Sequence, residues 1–294
     1  MKHIYSTGAL LLAMTLMLAG CSKTAEKQNS STQSDLGQTV HVSKSEQGES
    51  SEETKGQYKI PQDLKGQKLS VQAGTTGEDA AKTLSDEKQI SAFEKYADAI
   101  TELKQGKVEA CIMDGEPAKL IVEQNDDLMI LDEALTSESY AIAVKKGHDA
   151  LLKVINEVIQ KQKDAGEIEK MVAAYIEDEE KAASELNLGE LGEGKELLVM
   201  GTEAGFAPYE SWIGDQIAGS DVWLAAECAK AMGKSLKVED MAFDGLLSAL
   251  ENGQIDLVAA GLTVNPERQK VVDFSVPYFE AKQVVVIRKA SYQK

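Results

Sequence analysis

Twice along this chain, short apolar runs of strand length alternate with segments of helical period, and that alternation restricts the fold more than any other feature. In the first stretch KLSVQA, QISAFE, VEACIMD, LMILDE and SYAIAVKK, within residues 68–146, are strand candidates, with helices expected from Gly77 to Leu84, around Ala97 to Lys104 and from Glu116 to Glu123. In the second, ELLVMGTEA, LKVEDMAF, DLVAAG and AKQVVVIRK, within residues 196–289, are strand candidates, with helices expected from Ser220 to Met232, from Asp244 to Leu250 and, briefly, from Pro266. Parallel neighbours need a crossover between them, so the pattern predicts two α/β lobes, each a mostly parallel sheet with helices on both faces.

Between the two stretches lie two amphipathic helices. Leu151, Leu152, Ile155, Val158 and Ile159 form one apolar stripe, Gly166 interrupts it, and Ile168, Met171, Val172, Tyr175 and Ile176 form the next. An acidic joint, EDEEKAASELNLGELGEGK, follows. Its Gly189, Gly192 and Gly194 come close to a dinucleotide fingerprint, but glutamates surround them and no strand precedes them, so that reading is set aside. The expected organisation is a signal segment at 1–20, a polar tether at 21–57, a second lobe at 58–146, helices packing on the first lobe at 147–176, an acidic linker at 177–194 and a first lobe at 195–294.

The amino-terminal part carries its own signals. Lys2 and His3 precede an apolar run from Ala9 to Leu18, too short to span a bilayer comfortably, and LAGC closes it at Cys21. This resembles a bacterial lipoprotein signal, which implies a lipidated Cys21 and an extracytoplasmic protein tethered to the cell membrane, at the cell surface or in a periplasm. An ordinary membrane anchor is the competing reading. The following residues are rich in Ser, Gln, Glu, Lys and Thr, and as a random coil they would span about 30 to 35 Å.

Charge and composition exclude several classes. The formal net charge of -18 repels phosphate, which argues against nucleic acid as a partner. Cys111 and Cys228 fall in different lobes and read as small buried hydrophobes rather than a disulfide. His41 and His148 stand far apart, so no metal site and no cofactor is expected.

Ligands of open α/β sheets bind beyond the carboxyl ends of strands, and four such ends carry polar clusters. AAGLTVNPERQ places Gly261 and Thr263 at a strand end, Asn265 as N-cap and Arg268 one turn on; helix-end amides, a hydroxyl and a guanidinium there suit a carboxylate. VQAGTTGEDAA repeats the arrangement with Thr75 and Thr76, and CIMDG ends on Asp114, which can accept from an ammonium group. Phe206, Tyr209 and Phe243 offer flat apolar faces, with Glu203 nearby. Taken singly, each is an ordinary capped helix, turn or core aromatic. Together, an Arg and an Asp on opposite lobes make a receptor for a zwitterion.

With GTEAGFAPYES, VQAGTTGEDAAK, GKVEACIMDGEPAKLIV and the long segment from MAFDGLL to VVVIRK, the chain resembles bacterial extracellular solute-binding proteins of the polar amino-acid family, over nearly everything from Gln57 to Ile176 and from Glu196 to Lys289. The resemblance implies the type II periplasmic-binding fold, a lobed receptor for an ABC transporter permease, and no enzyme activity. It implies that Arg268 and Thr263 bind the α-carboxylate with Thr76 closing from the other lobe, that Asp114 binds the α-ammonium, that Phe206 stacks on the side chain, and that Glu203 and Phe243 line the specificity pocket. Where the family commonly has Gly-Phe-Asp, this chain has Gly219, Ser220 and Asp221. Family members start with the segment resembling KELLVMGTEAGFAPYE, so the order here looks circularly permuted, leaving one covalent crossing near SYAIAVKKG and the strand QVVVIRK beside it. A monomer that hands an amino acid to an importer is the leading expectation. A tethered sensor and a dehydratase-like enzyme are the rivals.

Overall fold

The computed structural model describes residues 57–189 and 196–293. The signal segment, Cys21, His41, nearly all of the tether and residues 190–195 of the acidic joint lie outside the described residues.

The strands and helices run β1 (Leu69–Gln72), α1 (Thr76–Leu84), β2 (Ile90–Phe93), α2 (Tyr96–Lys104), β3 (Ala110–Asp114), α3 (Gly115–Glu123), β4 (Leu128–Ile130), β5 (Glu138–Tyr140) and β6 (Ala143–Lys145). Then come α4 (Asp149–Asp164), α5 (Glu167–Glu177), α6 (Glu179–Ser184), β7 (Leu197–Thr202), β8 (Gly205–Phe206), β9 (Glu210–Ile213), β10 (Gln216–Ala218) and α7 (Ser220–Ala231). β11 (Ser235–Asp240), α8 (Leu246–Glu251), β12 (Leu257–Val258), β13 (Val272–Phe274), β14 (Phe279–Ala281) and β15 (Gln283–Arg288) complete the order.

Two five-stranded sheets result. In the second lobe the order is β2-β1-β3-β15-β4, and in the first lobe it is β11-β7-β12-β6-β13. β1 runs parallel to β2 and β3, and β7 runs parallel to β11 and β12. Each sheet holds one inner strand running against these neighbours: β15 against β3 and β4, and β6 against β12 and β13.

Those inner strands correct the expected boundaries. Residues 283–288 belong to the sheet of the 58–146 stretch, and residues 143–145 belong to the sheet of the 195–294 stretch. Neither lobe is therefore contiguous, and the chain crosses between them twice within the described residues. The reason is hydrogen bonding: without β15 the facing edges of β3 and β4 would keep unpaired backbone groups inside a buried sheet. At the crossings, β5 and β14 form an antiparallel pair, with Phe279 opposite Tyr140 and Ala281 opposite Glu138.

Other differences are local. The single strand expected over SYAIAVKK is split into β5 and β6. The helix expected from Pro266 is a 3-10 turn at Arg268–Lys270. GTEAGFAPYE leads into an unexpected three-stranded sheet, β10-β9-β8, and part of the acidic joint forms α6. Gly219, at φ +152°, lets β10 turn into α7; a Cβ there would lie 2.0 Å from the Tyr209 carbonyl oxygen. That tight entry places Asp221, next but one, beneath the ligand-facing strand ends, where its carboxylate accepts the Gly261 amide at 2.9 Å.

α4 and α5 pack on α7, burying Ile155, Val158, Ile159, Ile168 and Val172 among Val222, Ala225 and Ala229. Cys111 and Cys228 are free thiols, both buried, and burial pushes each up to about 12. The Gln57 amide donates to the Ser291 carbonyl at 2.8 Å and the Gln293 amide donates to the Tyr58 carbonyl at 2.9 Å, so residues 291–293 lie beside residues 57–58.

Candidate functional site

A narrow cavity lies between the lobes, and Arg268, Thr263, Gly261, Asp114, Thr76, Thr75, Phe206, Glu203 and Phe243 all line it. Strand ends account for this. Asp114 ends β3, Glu203 and Phe206 follow β7, Thr75 and Thr76 open α1 after β1, and Gly261 and Thr263 follow β12. The two sheets point these ends at one another across the hinge.

Arg268 is the cation of the site, with its side chain buried. Nη1 donates to the Thr263 carbonyl at 2.7 Å, and Nη2 donates across the cleft to the Gly74 carbonyl at 3.0 Å. The Phe243 ring lies beneath the guanidinium, 5.4 Å from its centroid. Phe243 therefore both lines the cavity and supports Arg268. Burial draws the Arg268 pKa down, opposed chiefly by the charge of Glu138. The backbone of Arg268 is held by Asn265, whose Oδ1 accepts its amide at 2.8 Å.

Carboxyl groups dominate the other walls. Asp114 is 5% exposed and accepts from the Tyr96 hydroxyl at 3.2 Å and from the Tyr140 hydroxyl. Burial raises it to about 6, with the tyrosine hydroxyls working against that rise. Glu203 accepts from Gln72 Nε2 at 3.0 Å and stands 3.8 Å from Lys95 Nζ, both on the opposite lobe; burial raises its pKa. Glu210, 1% exposed, also lines the cavity, and its pKa is raised well above the carboxylate range by burial first and then by Asp221, Glu203 and Asp114.

The two threonine hydroxyls are placed at the cleft but not free. Thr76 Oγ1 and Thr263 Oγ1 each donate to Glu138 Oε2 at 2.7 Å. A hydroxyl has one proton, so neither can simultaneously donate to a ligand carboxylate in this geometry. Thr75 instead caps α1, its side chain accepting from the Glu78 amide and donating to the Gln72 carbonyl. Gly261, at φ +53°, brings the backbone against Phe206; a Cβ there would lie 2.5 Å from that ring. Phe206 in turn stacks on Tyr96 of the other lobe, ring centroids 5.9 Å apart.

Sequence reasoning missed Gln72, Tyr96, Glu210 and Glu138. Glu210 ends the quoted motif GTEAGFAPYE and was legible as an acid in the right place. Gln72 immediately precedes the AGTT turn. Tyr96 sits at an apolar helix position and looks like core. Glu138 carries no local signal, because only the hinge brings it to the cleft.

Burial of these acids has a consequence for pH. Asp114 and Asp221 are both raised to about 6 by burial, from 3.8 in the unfolded chain. A raised pKa gives stability that is complete below the unfolded value and lost as pH rises through the folded one, so the unliganded protein should weaken between about pH 4 and 6. Each group accounts for roughly 3 kcal/mol. Urea unfolding should give a lower free energy at pH 7 than at pH 5; a steady rise over that interval contradicts the assignment.

Residues 198–293 match the model of the bacterial extracellular solute-binding proteins, family 3. The arginine-binding extracellular protein ArtP of Bacillus subtilis is 47% identical over 98 residues, covering 33% of this chain and 38% of that protein. The ABC transporter arginine-binding protein 1 of Escherichia coli is 36% identical over 100 residues, covering 33% of this chain and 41% of that protein. The chain thus spans about two fifths of the length of these curated relatives. Among solved structures, the arginine-bound form of domain 1 from TmArgBP is 40% identical, with 32% of this chain and 80% of that chain covered and a TM-score of 0.29. The holo ArgBP structure from T. maritima is 45% identical, with 28% and 37% covered and a TM-score of 0.28. Two α/β lobes joined by paired hinge strands make the type II periplasmic-binding fold. Over residues 198–293, about a third of its length, this chain is similar to the bacterial extracellular solute-binding proteins, family 3.

Proposed function

We propose that the chain captures an amino acid with a cationic side chain between its two lobes and delivers it to an ABC importer. The observation that carries this reading is the excess of acidic groups in the cavity wall: the carboxyl groups of Asp114, Glu203 and Glu210, all buried, face the single guanidinium of Arg268. An α-carboxylate pairs with Arg268 and an α-ammonium with Asp114, which leaves the carboxyl groups of Glu203 and Glu210 for a cationic side chain, whose charge would draw their raised pKa values down. The names of relatives that bind arginine and histidine point the same way. No covalent step is needed to account for these groups, so the proposed role is binding rather than catalysis.

Closure is the mechanism. The ligand bridges Arg268 on one lobe and Asp114 on the other, so both contacts exist in full only when the lobes meet, and binding shifts the population toward that state. Lipidation at Cys21 would hold the protein at the membrane, close to its permease. A circularly permuted order is part of the same proposal: with residues 291–293 hydrogen-bonded beside residues 57–58, a continuous link there would let the chain run from β7 through β15 into β1 without rearranging either sheet.

A thermal-shift screen of the twenty amino acids tests the reading. A ligand at a thousand times its Kd stabilises by about 4 kcal/mol, which raises Tm by about 10 °C in a body of this size. Arginine, lysine or histidine should give that shift, and glutamate should not. A profile led by acidic amino acids, or one with no response, overturns the proposal.

A further inference from the structure

Glu138 lies on β5, at the hinge, and its side chain is 9% exposed. Its Oε2 accepts the Thr76 hydroxyl of the second lobe and the Thr263 hydroxyl of the first lobe, each at 2.7 Å. Its Oε1 accepts the Thr136 hydroxyl at 2.7 Å, and Gln283 Nε2, at the start of β15, stands 3.3 Å from Thr76 Oγ1 and 3.5 Å from Glu138 Oε2. One carboxylate oxygen therefore receives a donor from each lobe, while residues at both chain crossings fix the group itself.

The position of Glu138 separates two readings of this arrangement. A carboxylate reaching into the cavity would mimic a ligand and compete with it. Thr76 and Thr263 line the ligand cavity and also line a second recess on the hinge side, whereas Glu138 lines only the second. The threonines stand between Glu138 and the ligand space, so the carboxylate acts from behind them. We propose that Glu138 is a positioning residue, a hinge-borne latch that ties one hydroxyl from each lobe to a single oxygen and so favours the closed form before any ligand arrives.

The latch does two things. It supplies charge-assisted hydrogen bonds that form fully only when Thr76 and Thr263 converge, so it biases the open-closed equilibrium independently of the ligand. It also consumes the hydroxyl protons of both threonines, so the ligand carboxylate is left to the guanidinium and to backbone amides. The effect on ligand release rests on the proposed amino-acid binding; the effect on the empty protein does not.

The test uses the full chain with Cys21→Ser, carrying donor and acceptor dyes on K88C and K153C, exposed positions on opposite lobes, with the buried thiols of Cys111 and Cys228 unlabelled. Single-molecule energy transfer without ligand should show a closed population in the parent protein and a closed-to-open ratio about tenfold lower in E138Q and E138A. Stopped-flow release of arginine should quicken by a similar factor, with association changed less than about twofold, a split that general loss of packing would not produce. T76V and T263V, which remove one donor each, should move the ratio in the same direction, and adding E138Q to either should cost less than it does alone. These variants also decide the question if E138Q fails to melt cooperatively. An empty parent protein that is wholly open, or Glu138 and threonine variants with an unchanged ratio, overturns the latch. Failure of every amino acid to bind the parent protein would instead overturn the proposed function, while the energy-transfer ratio still judges the latch.

Discussion

Arg268→Ala should lose amino-acid binding by two to three orders of magnitude while the chain stays folded. The guanidinium is buried, anchored by the Thr263 and Gly74 carbonyls and seated on Phe243, so no neighbouring cation can replace it in the cavity wall. Truncating one partner of a buried charge pair costs about 2 to 5 kcal/mol, which converts a micromolar site into one approaching millimolar or weaker. Arg268→Lys should recover only part of the loss, because an ammonium cannot hold two carbonyls and a carboxylate in the planar fork that guanidinium offers. Calorimetric titration checks both. If Arg268→Ala bound as the parent protein does, the carboxylate pole would have been placed wrongly.

Asp114→Asn should abolish binding in a different way, by removing the negative pole while leaving the empty protein at least as stable as before. At pH 7.5 the parent protein holds a buried carboxylate whose pKa is raised to about 6, at a cost of roughly 3 kcal/mol. Asparagine removes that charge, and the Tyr96 and Tyr140 hydroxyls can still exchange hydrogen bonds with its amide oxygen. The melting temperature of the empty variant should therefore equal or exceed that of the parent protein above pH 6, with affinity for arginine lower by a hundredfold or more. The pH profile carries the sign. Only the ionised Asp114 attracts an ammonium group, so parent affinity should be full above about pH 6 and fall as acid protonates it. Binding by Asp114→Asn within threefold of the parent, or a parent affinity that strengthens as pH drops from 7 to 5, contradicts the assignment.

Much of the fold was legible because periodicity is local. Alternating apolar runs gave most of the strands of both sheets, and the stripes on either side of Gly166 gave α4 and α5. The residues that line the cavity were legible because most sit near a strand end in a short polar motif, and strand ends in open α/β sheets converge on clefts. The errors share one cause. β15 looked like part of the first lobe because it follows β14 in sequence, yet its hydrogen bonds are with β3 and β4 of the second. Thr76 and Thr263 looked like free donors because nothing near either in sequence competes for its proton, and their acceptor Glu138 is 62 and 125 residues away.

The sequence by itself determined the two α/β lobes and the chemical identity of the groups that line the cleft, because apolar period and residue type are properties of short segments. Only the tertiary structure decided which lobe owns each crossing strand, that Phe243 supports Arg268, and that Glu138 takes both threonine protons. Those outcomes depend on which groups meet in space, and contacts between residues tens to more than a hundred positions apart leave no trace in local pattern.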